Sequence, residues 1–274
     1  IADKPLTEYT PLQKETNGEK IITQYDMYTV GEDGVGLLKI DLLGLRNLTI
    51  IQESLRFIKE NQQKNIDLSI VSYDDKKTYE LLSSGETTGI FQLESFGMRR
   101  YIKDLKPTSI FDLQAMVALY RPGPMANIPE FIRRKHNPSL IKYPDPRLSD
   151  ILKESYGVIT FQDDVLLTAI KVAGYSWLEA DKLRKAIGKK ISSEMKKQHD
   201  QFVKGCVANG MTMKNAEKFW ILFEPFAGYG FNKAHAAGYA TIAFRTAYLK
   251  AHFPVEFMTA LLTAESKDTQ KITS

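Results

Sequence analysis

Cys206 is the chain's only cysteine, which excludes an internal disulfide and a cysteine-built metal cluster. No stretch approaches the roughly 18 consecutive apolar residues that a membrane span requires. There is no signal peptide, no internal repeat, no low-complexity tract and no Walker-type or dinucleotide-binding glycine loop. Surplus charge is small too, with 37 Lys and Arg set against 33 Asp and Glu. What remains is a 274-residue chain, 43% hydrophobic and 26% charged, able to bury a sizeable core as one large domain or two small ones. These features point to a cytoplasmic protein with no membrane partner. The chain starts at Ile1 rather than at methionine, and it reads as an excerpt from something longer.

The small net charge is unevenly spread. Between Lys171 and Lys204 lie nine Lys or Arg and four Asp or Glu, so the rest of the chain is close to neutral. Such a concentration is the footprint of phosphate or nucleic-acid binding. At its centre, Ser176 and Glu179 form a capping box that starts a helix. Helical spacing then puts Lys182, Lys185 and Lys189 in one stripe beside Arg184, with Leu183, Ala186 and Ile187 facing inward. Gly188 closes the helix ahead of Lys189 and Lys190. Acidic partners are scarce within 182–190, which favours a phosphate-binding role over a plain solvated face.

A second stretch, Ala227 to Phe253, organises the chain. Its later part, Ala236 to Ala251, is alanine-rich and apolar on more than one face, as expected of a helix in the middle of a domain. Pro254 ends it. Ahead of it, Gly228 and Gly230 free the backbone, and Phe231, Asn232, Lys233 and His235 supply a ring, a polar group, a cation and an imidazole. That set suits a ligand with stacked rings and negative charge, or else simply forms a helix entry with a core histidine.

Elsewhere the pattern is mostly α with a small β part. Residues 1–29 read as irregular, with a turn signal at Asn17-Gly18. Val35 to Leu43 reads as a buried strand, with Lys39 and Asp41 projecting together from one face. A helix follows over Leu45 to Glu60, with Leu45, Leu48, Ile51, Leu55 and Ile58 as its inner stripe. The polar stretch from Asn61 to Lys77 marks the best internal boundary, giving domains 1–60 and 61–274. Further helices are expected over 78–83, 94–105, 110–120 (capped by Ser109 and Asp112), 162–173, 193–208, 212–223 and 254–265. Thr88–Leu93 and Ser155–Thr160 look extended, and Arg133-Arg134-Lys135 reads as a solvated basic face.

Five segments carry a resemblance in order: LLKIDLLGLRNLTII (37–51), GIFQLES (89–95), YRPGPM (120–125), LRKAIGKK (183–190) and FAGYGFNKAHAAGYA (226–240). Together they resemble the C-family bacterial replicative DNA polymerases, the family of the α subunit of DNA polymerase III. The likeness runs over nearly the whole chain and is to the shorter branch, which lacks an inserted proofreading exonuclease. It implies the end of a palm (1–60, with the Asp41 strand) joined to a multi-helix fingers domain (61–274).

It also implies an activity: DNA-directed addition of deoxynucleotides to a primer 3′-hydroxyl by two-metal nucleotidyl transfer. Asp41 matches the third catalytic aspartate, a ligand of the two Mg²⁺ ions, and Lys39 the lysine near the primer terminus. Arg184 and Lys185 match the pair that grips the triphosphate, with lysine here in place of the family's second arginine. Lys189, Lys190, Phe231, Asn232, Lys233 and His235 fall at the nucleotide pocket, and Arg121 and Lys182 at DNA. Primer-template DNA, dNTP and, for the complete protein, the sliding clamp and other replisome subunits are the implied partners. The upstream aspartate pair is missing, since no Asp-x-Asp occurs in the chain, so this piece alone is expected to be inactive. The rival reading is a non-catalytic helical nucleic-acid-binding module built on the same basic helix. The two differ on whether Asp41 matters.

Overall fold

The computed structural model describes residues 1–31, 34–38, 40, 44–189, 192–223 and 231–266, the side chains of 188, 189, 192 and 193 excepted. Two compact units, Ile1–Leu45 and Arg46–Ser274, make up the chain.

In the first unit, the Asn17-Gly18 signal closes a short hairpin that composition marks only as irregular. Leu12–Lys14 (β1) pairs antiparallel with Ile21–Thr23 (β2), with Gln13 opposite Ile22. Met27–Val30 (α1) follows, capped by Asp26, whose carboxylate accepts from the Tyr28 and Thr29 amides. The strand expected over Val35–Leu43 does not form at its described residues, 35–38 and 40. A strand needs a neighbour for its amides. Those of Val35, Gly36 and Leu37 instead turn back to the carbonyls of Thr29, Gly31 and Val30, at 2.8, 2.9 and 3.0 Å. Lys39 and Asp41 lie outside the described residues.

The second unit is helical. It comprises Arg46–Gln62 (α2), Lys76–Ser84 (α3), Phe96–Leu105 (α4), Ile110–Leu119 (α5), Ile128–His136 (α6), Ser149–Leu152 (α7) and Gln162–Ala173 (α8). Trp177–Lys189 (α9), Ser192–Ala208 (α10), Met213–Ile221 (α11), Lys233–His252 (α12) and Pro254–Ala264 (α13) complete it. With β1 and β2 as the one sheet among the described residues, the chain is mostly α with a small β part. No described helix is long and apolar enough to cross a membrane.

Local chemistry sets most of these bounds. Ser109 and Asp112 form the expected capping box at α5, Ser176 and Glu179 that of α9, and Thr212 caps α11. At Gly85 the chain leaves α3 through φ +79°, a conformation that favours glycine. Proline at its first position starts α13 directly after α12.

Burial puts α12 at the centre. Ala240, Ala243, Phe244 and Ala247 pack with α3, α4, α5 and α6 in one cluster. Leu249 joins a second cluster with Ile50 and Ile58 of α2 and Phe257 and Ala260 of α13. A third, built on α8 to α11, holds Phe202, Phe219, Trp220, Phe223 and Cys206. Burial pushes the Cys206 thiol up to about 11, so it stays protonated and unreactive. Because α2 packs against α13, it belongs to the second compact unit, which begins at Arg46.

Several expectations change on contact with the fold. The buried face of α2 is Ile50, Ser54 and Ile58, and Leu48 is 51% exposed. Thr88–Leu93 is a run of tight turns, with Gly89 at φ +76° and Gln92 at φ +62°, and Tyr156-Gly157 also turns through positive φ. Buried Ile90 and Leu93 mimic a strand's apolarity without its pairing. Within the 133–135 cluster only Arg133 is solvated, at 61% exposed. Lys135 Nζ lies 2.8 Å from the buried Asp112 carboxylate, and Arg134 donates to the Lys142 and Tyr156 carbonyls and to Glu130.

Candidate functional site

The head of α12 is built by its cap. The Asn232 side-chain oxygen accepts from the His235 amide at 3.0 Å, so Asn232 is committed to starting the helix. One residue on, the Lys233 amide donates to Asp163 at 2.8 Å, which sets a carboxylate on the positive end of the helix. The Lys233 ammonium sits 3.2 Å from Glu154 and 5.6 Å from the centre of the Phe161 ring. A small cleft lined by Phe111, Gln114, Glu154, Phe161 and Lys233 opens there.

Beside it, Asp164 is almost fully buried and accepts from the Thr160 and Phe161 amides at 2.8 and 2.9 Å. Desolvation outweighs those bonds and raises its pKa to about 6. A folded-state pKa above the unfolded 3.8 means that the folded chain binds more protons between the two values. Stability from this group is therefore present below about pH 4 and lost as pH rises through about 6. The expected loss is on the order of 3 kcal/mol over the whole range, and about 2 kcal/mol of it falls between pH 4.5 and 7. Asp164→Asn keeps an acceptor for both amides and should flatten the change between pH 4.5 and 7 in urea midpoints. A wild-type slope that survives in the variant would assign the titration elsewhere.

Aromatic rings continue the site. The Arg121 guanidinium lies 4.0 Å from the centre of the Phe231 ring, Phe231 meets His235 edge-on at 4.9 Å, and His235 lies 4.2 Å from Tyr239. Tyr239 in turn packs on Phe91 at 5.0 Å. Burial lowers the Arg121 pKa, and its Nε is buried without a hydrogen-bond partner. The Gln162 amide, donating to the Phe231 carbonyl at 3.0 Å, ties this stack to the start of α8. The structure thus brings Arg121 together with Phe231 and His235, although 110 residues separate Arg121 from Phe231 in sequence.

On α9, Leu183, Ala186 and Ile187 are buried as the stripe requires. Sequence spacing missed Asp181, one residue before the basic run. Its Oδ1 accepts from Arg184 Nε and Nη2 at 2.9 and 2.7 Å, and its Oδ2 lies 3.2 Å from Lys185 Nζ. The Arg184 fork, ahead of Lys185, holds the Asp181 carboxyl below the usual carboxylate range. These side chains are about one-third to one-half exposed. Lys182 is exposed beside them. Lys189 ends the described helix, and its side chain, like the whole of Lys190, lies outside the described residues. Helical spacing of three and four residues could have found Asp181 and, from His235, Tyr239. Glu154, Asp163 and Phe91 come from elsewhere in the chain and leave no local signal.

Among the described residues, no three His, Cys, Asp or Glu side chains gather as a metal centre. Of the adjacent aspartates in the sequence, Asp163 and Asp164 accept from backbone amides, and Asp75 caps α3 and lies 3.0 Å from His252. The described residues alone therefore do not fit a pair of Mg²⁺ ions.

The family profile described as "Bacterial DNA polymerase III alpha subunit finger domain" matches residues 47–210, more than half of the chain. That described as "Bacterial DNA polymerase III alpha NTPase domain" matches residues 1–44. The chain is similar to the DNA polymerase III subunit alpha of Thermus aquaticus, at 46% identity over 99% of this chain and 22% of that protein. It is also similar to the proteins of that name from Bacillus subtilis (46% identity) and Pseudomonas aeruginosa (44%), covering 99% of this chain and 24% of each. It spans less than a quarter of the length of these curated relatives.

Proposed function

This chain belongs to the bacterial DNA polymerase III α family, and on that premise we propose that it supplies the nucleotide-binding and DNA-binding face of a DNA-directed DNA polymerase. The observation that carries the reading is Arg184 and Lys185, presented half-exposed on a helix whose opposite side is anchored in the core. A triphosphate meets a cation pair already ordered by Asp181, so little side-chain freedom is lost on binding. The pair can also be given up cheaply, since exposed ion pairs contribute about 0–1 kcal/mol. Lys189 and Lys190, which follow in sequence, would add positive charge for the same phosphates. Lys182 and Arg121 face the DNA backbone, where cations bind without reading sequence.

At the head of α12, the Phe231 and His235 rings stack against the nucleotide, and Lys233 exchanges Glu154 for a phosphate oxygen. Asn232 acts through the cap, holding the first turn so that Phe231, Lys233 and His235 keep their places. In the complete enzyme Asp41 would be this chain's ligand to two Mg²⁺ ions, which would supply charge neutralisation at the reacting phosphate and a more acidic primer hydroxyl; Lys39 would serve the primer terminus. The complete enzyme adds deoxynucleotides to a primer 3′-hydroxyl with release of pyrophosphate, alongside a sliding clamp and other replisome subunits. The 274-residue chain by itself does not extend a primer.

Arg184→Ala in the full-length polymerase tests this. It should cut nucleotide efficiency about tenfold to a hundredfold, the scale of a hydrogen bond to a charged group, and for all four nucleotides alike. Lys185→Arg should be neutral or helpful, because it adds a planar fork. A non-catalytic nucleic-acid-binding module predicts the opposite partition: weaker template binding with a shallower salt dependence. An Arg184→Ala effect confined to DNA affinity would remove α9 from the nucleotide site.

A further inference from the structure

We propose that Tyr239 is the positioning residue that fixes the His235 ring on the nucleotide face, an inference that rests on the functional reading above. The His235 side chain is exposed, and among the described residues its imidazole has no hydrogen-bond partner; the bond at this residue is made by its backbone amide. An exposed imidazole held by nothing spreads over several χ1 and χ2 wells. Its orientation here comes from ring contacts: Tyr239 at 4.2 Å and 44°, and Phe231 at 4.9 Å and 64°.

Both rings are backed by buried residues, Phe231 by Ala118, Phe161 and Ala236 and Tyr239 by Phe91, but Tyr239 is the nearer and shares α12 with His235. It sits one helical turn beyond His235, where residues i and i+4 share a face. Its ring is half-buried and packs 5.0 Å from Phe91, which is 6% exposed. The Phe91 amide donates to the Thr246 hydroxyl at 3.2 Å, and Thr246 is itself fully buried on α12. A continuous line therefore runs from buried Thr246 through Phe91 and Tyr239 to His235, and on through Phe231 to Arg121. The Thr246 end of the line is fixed by hydrogen bonds and the Arg121 end by a cation–π contact, whereas its middle depends on rings alone. No hydrogen bond engages the Tyr239 hydroxyl among the described residues, so the ring face rather than the phenol is the working part. An unheld imidazole is correctly placed only part of the time, and apparent affinity falls by that fraction.

The test pairs a spectroscopic readout with a kinetic one. In NMR spectra of the 274-residue chain, the His235 imidazole protons should lose their ring-current displacement in Tyr239→Leu and keep it in Tyr239→Phe. In the full-length polymerase, Tyr239→Leu should raise KM for all four nucleotides about three- to tenfold, with kcat little changed, and Tyr239→Phe should restore it. His235→Ala with Tyr239→Leu should be no worse than His235→Ala alone, because Tyr239 acts through that ring. Should Tyr239→Leu fail to fold, Tyr239→Met offers a longer and more adaptable apolar side chain, likewise removes the aromatic face and gives the same readouts.

His235 signals unmoved in the folded variant, or additive losses in the double variant, overturn the proposal. If instead His235→Ala leaves nucleotide KM unchanged while Tyr239→Leu shifts the imidazole signals, the functional reading fails. The positioning of the ring by Tyr239 then stands.

Discussion

Lys135→Ala should destabilise the chain by about 3–5 kcal/mol, the cost of stripping one partner from a buried ion pair. Lys135 and Asp112 are 8% and 0% exposed, with nitrogen and oxygen 2.8 Å apart. The same carboxylate accepts from the Thr108 and Ser109 amides at 2.9 and 3.2 Å and from the Tyr156 hydroxyl at 2.8 Å. Those three donors soften the loss toward the lower end of the range without replacing the cation. Asp112→Asn combined with Lys135→Met should recover much of the stability, because it removes both charges and keeps the packing. Urea denaturation of the three proteins checks it. A loss under about 1 kcal/mol for the single change would put Lys135 among ordinary surface cations. The contrast with Arg184 is instructive, since both cations hold carboxylates and only the buried one is locked.

The second large effect is expected at Phe244, 1% exposed on α12 and set between Tyr73 at 5.1 Å and Tyr79 at 5.6 Å. Phe244→Ala leaves a cavity that α3, α5 and α12 cannot close, because all three are anchored along their length by other buried residues. The cost should be about 3–5 kcal/mol. Leu48→Ala on α2 should change stability by less than about 0.5 kcal/mol, because its side chain faces solvent. Equilibrium unfolding of both variants separates the observed packing from the stripe that periodicity suggests. A large loss at Leu48 would mean that α2 is rotated.

What could be read in advance was what is decided locally. The Ser109 and Ser176 capping boxes, the proline after α12 and the all-round apolarity of that helix each lie within a few residues, and each formed as expected. Val35–Leu38 failed because a strand is a statement about its neighbour, and alternation along one segment cannot supply one. Thr88–Leu93 misled because its apolar residues are buried singly through turns, at Gly89 and Gln92, rather than as one face. Leu48 misled for a related reason: a run with leucine or isoleucine at many positions offers two possible stripes, and only the packing of α13 chooses.

In the site, the charge pattern located α9 and the glycine-rich approach to α12. It could not show that Asp181 and Glu154 already hold those cations, or that Arg121 reaches Phe231 across 110 residues. Such pairings belong to the tertiary fold, and chain spacing carries no record of them.

The packing of α2 on α13 also orders events during synthesis. The two helices are separated by roughly 200 residues, and at ribosomal rates of about 5–20 residues per second α2 waits some 10–40 s for its partner. Through that interval the faces of Ile50 and Ile58 that Phe257 and Ala260 cover stay open. The cluster of α8 to α11 draws on described residues from 143 to 223 and on none beyond Phe223. It can therefore settle first, while α2 remains a sticky, unfinished surface that the nascent chain must keep from neighbouring chains until α13 emerges.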